Sequence, residues 1–316
     1  MATIIKEKEI QLILKNIDLV KAMEEAFIQY SNGNSVVPPV GELLFNNPDG
    51  EAHIKYGYIK GEEYYVVKIA SGFYENPKLN IASSQGVVLL FSQTTGELKA
   101  VLLDNGKLTD IRTAAAGALV ATRFAPKKLK GIGIAGTGIQ ARLQLKLLLD
   151  VIDCNQIWVW GRDQKKAKIL ASEFNRIKKV KVAKSTQELS RKTNYIVTTT
   201  SSNSPLLKAE DILPGTHITA VGSDTAHKQE LDTEILKKAD LVVVDSLSQS
   251  EERGEVFKAL SEGIIAKKDV TELGVALQNT ELQRTSEDQI TVADLTGVAV
   301  QDMAIGKAIY ENYNLT

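Results

Sequence analysis

Gly136-Thr137-Gly138-Ile139-Gln140-Ala141 follows the apolar run GIGIA directly and opens an amphipathic stretch. The first glycine permits a tight turn, and the second lets a phosphate approach the backbone. The small residue closing the motif lets a helix pack closely on its strand, and the N-terminus of that helix attracts an anion. Gly136, Thr137, Gly138, Ile139 and Gln140 therefore form a candidate dinucleotide site, with a ligand-free tight turn as the alternative. Lys68, in VVKIASG, lies in an apolar run. An unpaired buried ammonium is expensive, so Lys68 must meet an anion, either a substrate carboxylate or one internal to the chain. Arg112 falls in the first turn of the helix DIRTAAAGALVATRF, which Thr109 is expected to cap. There it is a natural clamp for a carboxylate, or else a salt bridge to a neighbouring segment. Asp224 follows the run ITAVGSD at the carboxyl end of a strand, the usual ligand position in open parallel sheets. It can take a proton from an amine, hold an iminium cation, or cap a helix beginning near Lys228.

These residues need a scaffold. From about residue 130 short apolar runs alternate with helical segments. Strands are expected over Gly131–Ala135, Ile157–Trp160, Lys179–Val182, Tyr195–Thr199, His217–Val221 and Leu241–Val244, with helices such as Ala141–Val151 and Gln164–Arg176. Such alternation predicts an α/β domain, a Rossmann-type doubly wound parallel sheet covered on both faces. The tip of its second strand bears on the cofactor. An acidic residue there holds the ribose 2′-hydroxyl of NAD(H), whereas a guanidinium suits the 2′-phosphate of NADP(H). Here Gly161 is followed by Arg162, with Lys165 and Lys166 close behind, so NADP(H) is preferred. Asp163, one step on, keeps NAD(H) as the alternative, and a solvated loop position is the bland one for Arg162. Trp158 and Trp160 alternate on this strand and are expected in the core.

Before about residue 105 the pattern differs. Val20, Met23, Phe27 and Tyr30 give an amphipathic helix over 17–30, ended by Ser31-Asn32-Gly33. Apolar runs broken at Asn47-Pro48-Asp49-Gly50, Gly61-Glu62-Glu63 and Thr95-Gly96 read as antiparallel strands of a second, strand-rich α+β domain. The last ~25 residues hold a strand and a helix that return to this domain. The expected division is 1–120 with 297–316, and 121–296.

A length of 316 residues fits about two domains. Basic and acidic residues number 38 and 39, for a net charge of -1, so nothing provides for a nucleic-acid backbone. Cys154 is the lone cysteine, which excludes an internal disulfide, and His53, His217 and His227 are scattered without ligand spacing, so no metal site is expected. No apolar run is long enough to span a membrane, and MATIIKEKEI lacks a signal-peptide core; a cytoplasmic protein with no membrane partner is expected.

Over essentially its full length the chain resembles the ornithine cyclodeaminase/mu-crystallin family. The resemblance is carried by VVKIASGFYENP, LLDNGKLTDIRTAAAGA, GIAGTGIQARLQ, ITAVGSDTAHKQELD and TGVAVQD, and the NPKL and LLDNG wording is most like the ectoine-utilisation type. The resemblance implies a homodimer whose subunit has a substrate-binding and dimerisation domain, built from both termini, and a Rossmann domain that binds a nicotinamide cofactor. It implies that Arg112 and Lys68 hold a substrate carboxylate, that Asp224 is catalytic together with Lys68, and that Thr296 and Gly297 line the substrate site. Thr113, Thr199, Val221 and Ser223 complete the expected cofactor-binding set.

Two positions depart from the cyclodeaminases. Their arginine in a Pro-x-Arg context is replaced by Pro39-Val40-Gly41, and their amine-binding glutamate, by spacing back from Lys68, is Lys55. With Gly41-Glu42 and Lys55-Tyr56 nearly opposite around a turn at 47–50, Lys55 is expected to supply the missing positive charge to the substrate site. An ordinary exposed lysine is the alternative. The substrate favoured is a small carboxylate-bearing imine, keto acid or amino acid rather than ornithine, a second carboxylate included, with segments 41–58 and 71–80 setting specificity. The expected activity is an NAD(P)H-dependent imine or ketimine reductase or amino-acid dehydrogenase. The alternatives are a cyclodeaminase-type ammonia lyase with catalytic NAD(P), and a non-catalytic NADPH-binding protein of the mu-crystallin kind.

Overall fold

The interrupted apolar runs of the first third build one sheet. In the computed structural model, which describes residues 2–73 and 75–313, β1 (Thr3–Lys6) leads into α1 (Glu7–Ile13) and α2 (Leu19–Ser31). Asp18 starts α2 by accepting a hydrogen bond from the Lys21 amide at 3.0 Å. There follow β2 (Ser35–Val36), β3 (Gly41–Asn46), β4 (Asp49–Ile59), β5 (Tyr64–Phe73), β6 (Ser84–Ser92) and β7 (Leu98–Leu103). Segment 41–58 is thus a hairpin; Tyr74 of segment 71–80 lies outside the described residues, as do Met1 and 314–316. Among the described residues the sheet has seven strands in the order β1-β7-β6-β5-β4-β2, with β3 on β4. Its pairs are antiparallel apart from β1 with β7.

The register of the hairpin corrects one expectation. Asn46 pairs with Asp49, so the connection is the two residues Asn47-Pro48 and not a four-residue turn. Gly41 therefore faces Ile54 and Glu42 faces His53, while the cross-strand neighbour of Lys55 is Lys68 on β5.

A second correction concerns α3 (Lys107–Phe124). Asn105 and Gly106, with φ of 53° and 80°, reverse the chain after β7. The Asp104 carboxylate then accepts from the Leu108 amide at 2.9 Å. Thr109 lies inside the helix and is not its cap, and Arg112 occupies the second turn, beyond the strongest reach of the helix dipole.

The chain forms two compact units, one holding residues up to Arg112 together with those from Val298 on, the other Thr113–Gly297. The division falls inside α3 and not after 120. Arg112 bonds to Gln301 and Asp302, whereas the next residue, Thr113, gives its carbonyl to Gln144. In the first unit the C-terminal helix Ala299–Tyr313 covers one face of the sheet, and Gly306 lets it approach Val88 and Leu90.

The second unit begins with β8 (Ile132–Ala135), α4 (Ile139–Val151), β9 (Ile157–Trp160), α5 (Gln164–Phe174), β10 (Val180–Val182), α6 (Thr186–Lys192) and β11 (Tyr195–Thr198). It continues through β12 (Asn203–Leu207), β13 (His217–Ala220), β14 (Gln229–Leu231), α7 (Thr233–Lys238), β15 (Leu241–Val244), α8 (Gly254–Ser261), β16 (Val270–Glu272), α9 (Leu273–Gln278) and β17 (Thr291–Asp294). Among the described residues eight of these strands make a parallel sheet, β10-β9-β8-β11-β13-β17-β15-β16, with β12 and β14 paired apart from it. The expected return of the last strand and helix to the first unit holds for the helix only. All four residues of β17 are buried, and β17 sits between β13 and β15. A strand with no exposed face needs neighbours on both edges and cover on both faces. No helix begins at Lys228; that stretch is β14.

Candidate active site

The sheet of the first unit sorts its side chains by alternation. On β4, Lys55, Gly57 and Ile59 are buried and Tyr56 and Tyr58 exposed, so Lys55 shares the buried face with Lys68 directly opposite. They are 8% and 2% exposed, which excludes an ordinary surface lysine at 55. Two ammonium groups facing each other repel. The compensation comes from the C-terminal helix. Lys68 Nζ lies 3.0 Å from Asp302 Oδ2, and Arg112 Nε donates to Asp302 Oδ1 at 3.1 Å. Arg112 Nη1 also donates to Gln301 Oε1 at 3.0 Å. The internal carboxylate open for Lys68 and the ion pair open for Arg112 are one residue, Asp302.

The electrostatics follow from burial. Desolvation and the nearby guanidinium pull the Lys68 pKa below the ordinary lysine value, and the Asp302 carboxylate opposes them. Burial works against an ionised Asp302, but Lys68, Arg112 and Lys55 outweigh it and hold the carboxyl below its usual range. Along β4 the same face carries His53, whose ring nitrogen is 3.0 Å from Glu42 Oε1.

In the second unit a cleft of about 360 Å³ opens beyond the carboxyl ends of β8, β9 and β11, where the strand order reverses direction. Gly136, Thr137, Gly138, Arg162 and Thr199 line it, as expected residues; so do Trp160, Gly161, Asp163, Lys166 and 200–202. Trp158 keeps the expected core position, and Trp160, at the end of β9, is partly buried against the same core while also lining the cleft. Gly136 has φ of 136°, and a Cβ there would come within 2.2 Å of Thr199 Oγ1. A Cβ on Gly138 would project into open space, and α4 starts at Gly138 with no side-chain cap. The uncapped start of α4, open room above a glycine and cations at the tip of β9 fit a dinucleotide. The Asp163 carboxylate accepts from the amides of Lys165 and Lys166 at 2.8 and 3.3 Å, which commits it to starting α5.

Other expected residues lie elsewhere. Ile139, Gln140, Thr113, Val221 and Ser223 are outside the cleft lining. Ile139 is 52% exposed, and Ser223 Oγ donates to the Lys228 carbonyl. Asp224 is partly exposed and ion-paired with Lys228 at 2.6 Å, so it neither caps a helix nor lies in the core. Thr296 is buried; its hydroxyl donates to Asp245 and accepts from Gln249, and the Gly297 amide donates to Asp245. Buried carboxylates recur along this edge. Glu230 and Glu255 are pushed up to about 7 and about 8 by burial, and Asp294 well above the usual range for the same reason.

Comparison with known proteins places this arrangement. The family model for the ornithine cyclodeaminase/mu-crystallin family matches residues 2–316. The chain belongs to that family. Among family members, an uncharacterized cyclodeaminase of Sinorhizobium fredii is 39% identical over 95% of this chain and 92% of its own. An archaeal alanine dehydrogenase dimer with bound NAD is 34% identical, covers 99% of this chain and 96% of its own, and superposes with a TM-score of 0.89. The Thermococcus litoralis Δ1-pyrroline-2-carboxylate reductase, solved with NADH and L-proline, is 26% identical over 99% and 98%, with a TM-score of 0.92.

Asp302, Gln301 and Glu230 were not anticipated from the sequence. For Asp302 a signal existed: it stands in the apolar stretch GVAVQDMAI, and a buried anion demands a cation as surely as Lys68 demands an anion.

Proposed function

We propose that the chain is an NAD(P)H-dependent oxidoreductase acting on the C–N bond of a small imino or amino acid, that is, an imine or ketimine reductase or an amino-acid dehydrogenase. The observation that carries this is the buried Lys68–Arg112 pair. Asp302 engages Nε of Arg112 and Gln301 engages Nη1, and we assign the remaining nitrogen, Nη2, to an incoming carboxylate. Lys55 adds positive charge to the same buried face. Family members solved with NAD, and with NADH and proline, act in the same chemical class.

The cofactor is assigned to the cleft of the second unit. A bound reduced nicotinamide supplies hydride to the carbon of a C=N bond. The protein's own residues do the rest. Lys68, Arg112 and Lys55 are assigned to the substrate carboxylate, and Asp224 to the proton at the nitrogen. Arg162 and Lys166 line the cleft while Asp163 is engaged with its helix, which supports NADP(H) over NAD(H). Thr296 and Gly297 are assigned to substrate binding by the family resemblance alone.

The subunit is assigned as half of a cytoplasmic homodimer. The sheet face opposite the C-terminal helix exposes Ile4, Tyr56, Tyr58, Ile69 and Leu103. An apolar face of this kind is covered in the assembled protein, and a second copy is the occupant that the dimeric relative suggests. Among the described residues no helix is long and apolar enough to cross a membrane.

Cyclodeamination remains the second reading, favoured by the carboxylates of Glu42 and Glu51 beside His53 on the face that carries Lys55. Against it stands Lys55 itself, where cyclodeaminases place a glutamate. The deciding assay follows reduced-nicotinamide absorbance with pyrroline-2-carboxylate, pyruvate plus ammonia, and iminosuccinate, using both cofactors. Net oxidation of NADPH or NADH with one of them is expected. Ammonia release from ornithine without net cofactor change would overturn the reductase.

A further inference from the structure

Glu230 is the middle residue of β14 and is fully buried. Its carboxylate takes four hydrogen bonds. Thr198 Oγ1 and the Gly222 amide donate to Oε2 at 2.7 and 2.9 Å, and the amide and hydroxyl of Thr200 donate to Oε1 at 2.5 and 2.8 Å. Thr200 belongs to the loop after β11 that forms one wall of the cleft. Gly222 belongs to the loop after β13 and stands two residues before Asp224. The two loops touch there: a Cβ on Gly222 would lie 2.1 Å from the Thr200 carbonyl oxygen and 2.6 Å from the Glu230 carboxyl carbon. Two of the four donors are backbone amides, which have no rotamer by which to find another acceptor.

We propose that Glu230 is a positioning residue, a single buried carboxylate that clamps the cofactor-wall loop to the loop carrying Asp224 and so presets the cleft for the dinucleotide. The proposal rests on the dinucleotide assignment of the cleft. A carboxylate accepts at both oxygens; an amide of the same outline accepts at one and donates at the other. In Glu230→Gln one backbone amide, of Thr200 or of Gly222, faces an NH2 group and its loop is released. The backbone of β14 does not depend on this group, because the amides of Glu230 and Leu231 are held by Glu255 at 2.7 and 3.1 Å.

The test is equilibrium titration of the full chain with NADH, which carries no phosphate monoester, at a pH of about 8.5, above the value of about 7 to which burial raises Glu230, followed by nucleotide fluorescence. Glu230→Gln is expected to raise the NADH Kd about tenfold while the number of sites per chain is unchanged. Simple destabilisation does the opposite, lowering the number of sites and leaving Kd alone. Thr198→Val, which removes one hydroxyl donor and keeps both backbone bonds, is expected to raise Kd by about twofold to threefold and guards against a Gln variant that does not fold. A Kd unchanged or tightened in whichever variants fold would overturn the clamp. Failure of the parent chain to bind NADH or NADPH at all would instead take down the dinucleotide assignment, and the clamp with it.

Discussion

Asp302→Asn is the most informative single change in the first unit. Asp302 is 1% exposed and neutralises Lys68 and Arg112 on the same buried face. At an effective dielectric constant of about 20, unit charges 3.0 Å apart attract by about 5 kcal/mol. Desolvation cancels part of that gain, and breaking a buried pair by removing one partner costs about 3–5 kcal/mol. Asparagine keeps an oxygen for Arg112 Nε but no charge for Lys68, whose pKa then falls further. A loss of about 4 kcal/mol corresponds to a Tm lower by about 6 °C for a chain of this size. The change also removes a competitor. In the parent chain an incoming carboxylate shares Lys68 and Arg112 with Asp302; in the variant it takes the place of the charge that was removed. Thermal unfolding with and without L-proline or pyruvate is the assay. The variant is expected to melt lower and to recover more of its Tm on adding the carboxylate than the parent gains. A variant melting within about 2 °C of the parent, the spread of an ordinary surface substitution, would refute the reasoning, as would equal gains from the ligand.

Three other outcomes are expected. Glu230 and Glu255 have folded pKa values raised to about 7 and about 8 by burial. Their contribution to stability is therefore present in full below the unfolded value of about 4.5 and is lost as pH rises through the folded values; from pH 6 to 9, at about 1.4 kcal/mol per pH unit, the sum is about 4 kcal/mol. Melting temperatures over that range should fall with pH, and Glu255→Gln should flatten the slope; a Tm that rises with pH would contradict it. Arg162→Ala with Lys166→Ala should weaken NADPH by about tenfold or more while NADH changes by about twofold or less, and equal effects on both would remove the 2′-phosphate assignment. Ile69→Lys places a charge on the exposed sheet face and should convert a dimer to a monomer in light scattering, whereas an unchanged mass would move the interface elsewhere.

Local pattern made much of the second unit legible. Ile157–Trp160 and Leu241–Val244 are strands over the expected residues, and the others agree to within one position at either end. Short β-branched runs bounded by turn residues have few other solutions. The glycine motif was legible for a similar reason: it is one contiguous turn whose geometry depends on its own residues. Pairing was not. The neighbours of β17 depend on which strands compete for a site between β13 and β15, and the hairpin register depended on whether two or four residues formed the turn at Asn47-Pro48.

The sequence by itself determined that the chain alternates strand and helix from residue 130, that a glycine-rich turn opens α4, and that Lys68 and Arg112 are charges in need of partners. Only the tertiary structure decided who those partners are. Asp302 is 234 residues from Lys68 in the chain, yet Lys68 donates to it at 3.1 Å. Glu230 joins two loops that are themselves far apart in sequence. Helix and strand periodicity comes from contacts between near neighbours, whereas a buried ion pair is selected by the desolvation of every group around it, and that is settled only when the whole chain has packed.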